Sequence, residues 1–180
     1  MLETSRLVLR PFESDDAEVA FGWFGDPAVM RFIAGGAHTS VPQTRKRLVE
    51  YQNQQARLGF SKWIVIEKHS GKPIGDSGLI VLSDDGPAPD LGFRFARAYW
   101  GRGYATEVAT AWITAAFGTF GLLALSAFAH VEHLRSRRVL EKVGFRFQAR
   151  QLVMGLDCVT YSLTAGDYAS TVALAHKGWS

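Results

Sequence analysis

Residues Tyr99 to Glu107 read "YWGRGYATE", and the chain then continues as "YATEVATAWITAAF", a run with helical periodicity. Two glycines and an arginine therefore stand at the start of a helix, where glycine costs stability. A physical reason for them is an anion close to the backbone. Free amides and the helix dipole make a helix amino terminus an anion site, and glycine removes the Cβ that would keep a ligand from the main chain.

Composition bounds which anion. The chain of 180 residues is 47% hydrophobic and 21% charged, the pattern of one globular domain. A single cysteine, Cys158, excludes an internal disulfide and suits a reducing cytoplasm. "MLETSRLVLRPF" carries charges at Glu3 and Arg6 and no apolar core of a signal peptide. A net charge of +3 and a pI near 9.2 suit a polyanionic small ligand or nucleic acid without choosing between them. Val108 to Ala129 carries no charge and has the length of a membrane span, but "FGTFG" divides it. Before the break Ala105, Val108, Ala109, Trp112, Ile113 and Ala116 mark a helical face; after it "LLALSAFAHV" reads as a buried strand. No membrane association is expected.

Outward from the glycines, the rest of the chain reads as follows. "RLVLR" is a strand, "ESDDAEVAFGWFG" a helix capped by Ser14 and stopped by Gly25, and "DPAVMRFI" a short helical piece. "TSVPQTRKRLVEYQNQQARLG" is a longer helix with Leu48, Tyr51, Gln55 and Leu58 on one face. "SKWIVIEK", "PIGDSGLIVL" and "PDLGFRFA" form an antiparallel meander joined by "HSGK" and "SDDGPA". The strand Leu122 to Val131 leads to the helix "HLRSRRVLEKVGF". Two last strands, "FRFQARQLVM" and "DCVTYSLT", flank a turn at Gly155. The final fifteen residues read as a helix or a frayed tail.

Two phosphate-binding patterns fail. No GxxxxGK[ST] occurs, so this is not a P-loop. "GRGYAT" has Thr106 in place of the third glycine of a dinucleotide fingerprint, and no Asp or Glu stands between Glu107 and Glu132 to hold a ribose.

A third pattern fits. "DLGFRFARAYWGRGYATE", followed one helix and one strand later by "RSRRVLEKVGF", closely resembles the GNAT superfamily of acyl-CoA-dependent N-acetyltransferases. Within it the chain is most similar to the branch of ribosomal-protein N-terminal acetyltransferases. The resemblance runs from "TSRLVLRPFESDDA" through "GDPAVMRFI" and "GKPIGDSGL" to "YSLT". It implies a GNAT-like domain over residues 1–165, with 166–180 a carboxy-terminal helix or tail. The fold class is α/β (α+β): a mixed, mostly antiparallel sheet flanked by helices, its fourth and fifth strands splayed.

The resemblance further implies acetyl-CoA as co-substrate, lying between those strands, and no metal. Phe93, Arg94 and Phe95 would present main-chain groups to the pantetheine and thioester. The amides of Gly101, Arg102, Gly103, Tyr104, Ala105 and Thr106 would cradle the pyrophosphate, with Arg102 adding charge at the rim. The loop departs from the family where Ala98 replaces the usual Gln or Arg, with Arg97 as the nearby substitute. His133 replaces a common Asn near the cofactor, and Leu140 replaces the tyrosine many relatives use as general acid. Ser136 matches the serine of the resembled branch and shares an inward helical face with Val139, Leu140 and Val143. Asp90, just before the fourth strand, matches an acid that relays a proton through water.

Plainer readings stand beside these. The glycines could form only a tight loop, Ser136 could be a back-bonding hydroxyl, and Asp90 could be a solvated loop charge. His130 and His133 lack a third metal ligand. Arg135, Arg137, Arg138, Lys142, Arg146 and Arg150 read as a solvated helix face, and Phe145 and Phe147 as strand core rather than nucleic-acid contacts. By analogy the acceptor pocket would draw on Trp23, Phe24, Met30, Phe32, Asp76 and Ser77. At pH 7 an α-amine is about 17% neutral and a lysine about 0.04%, so a site without a strong base suits a peptide α-amine or another amine of low pKa. The expected activity is direct acetyl transfer from acetyl-CoA to a primary amine, a protein N-terminus or a small molecule. Backbone amides would hold the oxyanion and Ser136 would protonate the thiolate. The alternative is a non-catalytic acyl-CoA sensor, or a module contacting protein or RNA through its basic helix. A homodimer is compatible with either.

Overall fold

A computed structural model describes residues 1–82 and 88–170 of the chain. Eight strands form one sheet in the order β1-β2-β3-β4-β5-β6-β8-β7. They are β1 (Leu2–Glu3), β2 (Leu7–Pro11), β3 (Lys62–Glu67), β4 (Lys72–Ile80), β5 (Asp90–Phe95), β6 (Ala124–His130), β7 (Arg146–Val153) and β8 (Leu156–Thr164). Every pair is antiparallel except β5 with β6. The expected meander is β3, β4 and β5. The helices are α1 (Asp16–Phe24), α2 (Pro27–Met30), α3 (Val41–Leu58), α4 (Tyr104–Gly118) and α5 (Leu134–Lys142).

The sheet divides two cores. On one face α4 buries Val108, Ala109, Trp112, Ile113 and Ala116 against Trp63, Val65, Leu79, Leu91 and Leu125. On the other, α1 and α3 enclose Trp23, Phe24, Leu48 and Tyr51 over Ile64. Each such large apolar side chain contributes roughly 1.5–3 kcal/mol. Because α4 must cross over the sheet to return parallel to β5, its amino terminus lies at the carboxy end of β5. That connection decides where an anion can sit.

Several sequence expectations are corrected. The amino-terminal cap of α1 is Asp15, not Ser14. The acid Asp16 turns back to bond Arg10 and the Glu13 amide. On α3 the buried glutamine is Gln54, not Gln55, because its amide bridges the Phe60 and Leu79 carbonyls and the Val81 amide. The strand expected from Leu122 starts at Ala124. Phe145 is core, but Phe147 is 61% exposed on the edge strand β7. The loop "SDDGPA" falls mostly on 83–87, outside the described residues. Residues 165–170 are helical, with Tyr168 against Phe117, and 171–180 lie outside the described residues. Among the described residues no helix is long and apolar enough to cross a membrane.

Candidate active site

The glycine stretch forms a turn that only glycine adopts without strain: Gly101 has φ 76° and Gly103, the cap of α4, φ 81°. A Cβ at Gly101 would meet no atom within 4 Å, and one at Gly103 would meet only Arg6 Nη2, at 3.5 Å. The turn is thus an open concavity. The first-turn amides of Tyr104, Ala105 and Thr106 have no intrahelical acceptor and point out of the helix end. The acid of that turn, Glu107, does not oppose an anion there, because Arg6 Nε donates to it at 2.7 Å and the Arg6 amide at 3.0 Å. These bonds and that of Thr4 hold its carboxyl below the usual range, against the upward push of burial. Arg6 also bonds the Arg102 carbonyl at 2.9 Å and lies over the Tyr104 ring, so it ties the loop to the amino-terminal strand pair. Arg102 itself is half-exposed, over the Tyr99 ring. Arg97 is bonded to Asp26 at 2.7 Å.

From this loop a cleft of about 960 Å³ runs between β5 and β6. The two strands are in register at one pair only, Asp90 with Ser126, and diverge beyond it. Leu91 to Phe95 therefore keep β4 on one edge and lose a ladder partner on the other. The Phe95 carbonyl accepts from Trp100 Nε1 at 2.7 Å.

The cleft face of the meander carries four charged groups. Arg94 and Asp76, opposite each other across β4 and β5, form a two-pronged ion pair with both contacts at 3.0 Å. Arg94 adds the Tyr51 hydroxyl at 3.1 Å and lies over the Phe24 ring, while Trp23 Nε1 donates to Asp76 at 2.8 Å. Burial alone would lower the Arg94 pKa, and Asp76 and Tyr51 together more than offset it. Next in register come Lys62, Gly78 and Gly92, one on each of β3, β4 and β5. The Lys62 side chain reaches Gly92, where a Cβ would meet its Nζ, whereas a Cβ at Gly78 would meet the backbone of Ser61 and Lys62. One register further, Asp90 is only 7% exposed, where a solvated loop charge was the plainer expectation. It belongs to β5 and is covered by Ile80 and Ser126. Burial pushes its carboxyl up while Lys62 draws it down; burial pulls the Lys62 ammonium down, and Asp76 and Asp90 raise it.

The opposite wall is α5. Ser136 is half-buried and lines the cleft, and Leu140 is fully buried beneath it. His133, at the helix start, packs on Phe32 with ring centroids 4.7 Å apart, and His130 stacks on the same ring at 5.0 Å. The segment after α2 thus reaches across the cleft to β6 and α5. Burial, then Arg135 and His130, lower the His133 pKa, so it is neutral at pH 7. Among the described residues no group of His, Cys, Asp and Glu could hold a metal.

One cleft therefore gathers Asp90, Phe93, Arg94, Phe95, Gly101 to Thr106, His133 and Ser136. Phe24, Met30 and Phe32 also line it, whereas Trp23 lies behind Asp76, and Ser77 bonds the Gly92 carbonyl. The basic run disperses: Arg137 bonds Tyr161, Arg146 pairs with Asp167 and Arg150 with Asp157, leaving Arg135 and Arg138 at the cleft. Sequence reasoning missed Lys62 and the Arg94 side chain. The available signal was the charges Lys62, Asp76 and Arg94 within three adjacent, mostly apolar strands.

Residues 6–146 match the family model of the acetyltransferase (GNAT) domain. YkkB of Bacillus subtilis (strain 168) is 32% identical over 148 residues, 81% of this chain and 85% of its own. An N-acetyltransferase of Bacillus licheniformis, p20, is 26% identical over 145 residues, 81% and 82% of the two chains. Among solved structures, a GNAT-family acetyltransferase from Bacillus anthracis superposes with a TM-score of 0.79 at 24% identity, covering 91% of this chain and 97% of its own. The fold is shared by RimL, a ribosomal L7/L12 alpha-N-protein acetyltransferase in complex with coenzyme A (TM-score 0.77, 15% identity, 92% and 97% covered). It is shared too by AAC(6')-Ib in complex with ribostamycin and coenzyme A (TM-score 0.78, 19% identity, 92% and 97% covered).

Proposed function

This chain belongs to the acetyltransferase (GNAT) family, and from that premise we infer that its cleft takes acetyl-CoA and passes the acetyl group to a primary amine carrying no large excess of positive charge. The observation that carries the reading is the opening of β5 from β6 beside the glycine turn: unpaired strand edge and free helix amides stand in one groove. The amides of 101–106 suit a pyrophosphate, with Arg102, Arg135 and Arg138 nearby for further phosphate charge. The free edge of β5 suits the amide groups of a pantetheine arm and supplies N–H donors to a developing oxyanion. The Ser136 hydroxyl forms no hydrogen bond to another described residue, which leaves it free to donate to a departing thiolate.

The acceptor class follows from the rest of the lining. Phe24, Met30, Phe32, Ile80, Leu82 and Phe128 make it apolar. Its charged groups away from the glycine turn are Arg31, Arg47, Lys62 and Arg94 against Asp90 and Glu132. Such a lining disfavours a polycation and favours a single amine beside apolar groups, as at a peptide N-terminus or in a small aromatic amine. His130 and His133 are engaged with Phe32, and Asp90 is the carboxylate open to the cleft at the join of β5 and β6. The test is CoA release from acetyl-CoA with a panel of free-N-terminus peptides, aromatic monoamines and aminoglycosides. Peptides or monoamines should be acetylated at least tenfold more efficiently than aminoglycosides. A preference for aminoglycosides would refute the acceptor class, and no turnover with any amine would favour a sensor.

A further inference from the structure

We propose that Lys62 is a positioning residue for acetyl transfer: with its ammonium over Gly92, it holds Asp90 in readiness to take the proton of the incoming ammonium group. The inference rests on the acetyl-transfer reading above. Lysine is almost never buried unless paired. Lys62 is 8% exposed, yet among the described residues its ammonium forms no hydrogen bond or close ion pair. Of the two acids that act on it, Asp76 is committed, with one carboxylate oxygen bonded by Arg94 and the other by both Arg94 and Trp23. Asp90 is uncommitted: its side chain accepts no hydrogen bond from any described residue, and it borders the cleft. Two buried groups of opposite charge thus stand near each other, both facing the same space and both short of partners. A polar ligand group between them would complete both, and an amine can do so.

Gly92 is the second support. A side chain there would collide with the Lys62 ammonium, so the absence of a Cβ keeps open the place that the ammonium occupies. Among the described residues the charged or titratable groups near Asp90 are Lys62 from β3, Asp76 on β4, Arg94 on its own strand and the buried thiol of Cys158 on β8. From β6 it meets Ser126, whose hydroxyl is given to the Ala88 carbonyl. Burial pushes the Asp90 carboxyl up to about 8 even with Lys62 drawing it down, so the ionised base becomes available as the pH approaches 8, and without Lys62 it would appear only higher still. The same positive charge favours the neutral form of an amine arriving beside it. In the step, the ammonium gives one proton to Asp90 and its freed lone pair bonds the thioester carbonyl carbon. The C–S bond then breaks, the thiolate takes a proton from Ser136, and the nitrogen loses its second proton to solvent as the amide forms. Ser136 and Asp90 re-equilibrate with water, and one proton is released overall.

The experiment compares the full chain with Lys62→Met, using acetyl-CoA and a tripeptide with a free α-amine. With one amine for both proteins, the acceptor's own titration cancels from the comparison. Without the neighbouring cation Asp90 binds its proton more tightly, so the acid limb of kcat/KM should move up by about one pH unit or more. Lys62→Gln repeats the test if methionine disturbs folding. A folded variant with an unmoved limb would overturn the proposal, even if its melting point changed. A second measurement needs no turnover: the NMR titration midpoint of Lys62 should fall by about one unit or more in Asp90→Asn. An unmoved midpoint would also overturn the pairing. If no amine is acetylated, the parent reading fails, while this titration still decides whether the pair exists.

Discussion

At the scale of single residues the site rests on side chains that lack partners. The Ser136 hydroxyl on α5 faces the cleft with no hydrogen bond among the described residues, so if it serves the leaving thiolate it acts mainly in the transition state. Ser136→Ala should then lower kcat and kcat/KM together, by about ten- to a hundredfold, with acetyl-CoA affinity nearly kept. A stable variant with full activity would exclude that role. Arg94 makes the contrasting case, because its partners are complete. Arg94→Met leaves Asp76 buried with the Trp23 hydrogen bond and the more distant Lys62 charge in place of its ion pair, and breaking such a pair costs about 3–5 kcal/mol. Denaturant unfolding should show that loss, and a change under 1 kcal/mol would mean that Asp76 finds another partner or takes up a proton. Sequence placed Ser136 well, since a helical face is a local property. It misjudged Asp90, whose burial depends on β6, some thirty-five residues further along, and it could not see that the Arg94 side chain reaches Asp76, because strand register is not local.

At the scale of elements the decisive feature is the turn into α4. Its glycines stand out in the sequence as a candidate anion site, but their conformation does not. With φ at 81°, Gly103→Ala carries a backbone penalty of about 1 kcal/mol before any ligand is present. Its new Cβ would stay clear of protein atoms apart from Arg6, so the apo protein should fold. CoA affinity should nevertheless fall at least tenfold, about 1.4 kcal/mol, if the pyrophosphate approaches that backbone. Calorimetry on the folded variant separates the two effects, and an unchanged affinity would leave the glycines as turn formers only. Helix faces were read correctly where apolar spacing was strong, as on α4. They failed on α3, where a polar residue, Gln54, is buried for its hydrogen bonds rather than its hydropathy. The edge strand β7 misled in the opposite sense: Phe147 continues an alternation that has nothing to pack against.

At the scale of the molecule, the order of elements and the antiparallel meander follow from alternation, turns and two strong helix periods, all present in the sequence. The divergence of β5 from β6 does not, because it is set by how α4 and α5 pack between distant strands; there the resemblance to the GNAT superfamily carried the reading. The central claim is that this divergence and the α4 amino terminus together form a binding site for coenzyme A. The most direct test is the melting temperature of the protein with CoA, NAD or ATP, each at equal concentration. CoA at a hundred times its dissociation constant adds about 2.7 kcal/mol, which for a chain of this size raises the melting point by about 5–10 °C. That rise is expected with CoA and acetyl-CoA and much less with NAD or ATP; a shift with NAD as large as that with CoA would contradict a coenzyme A site.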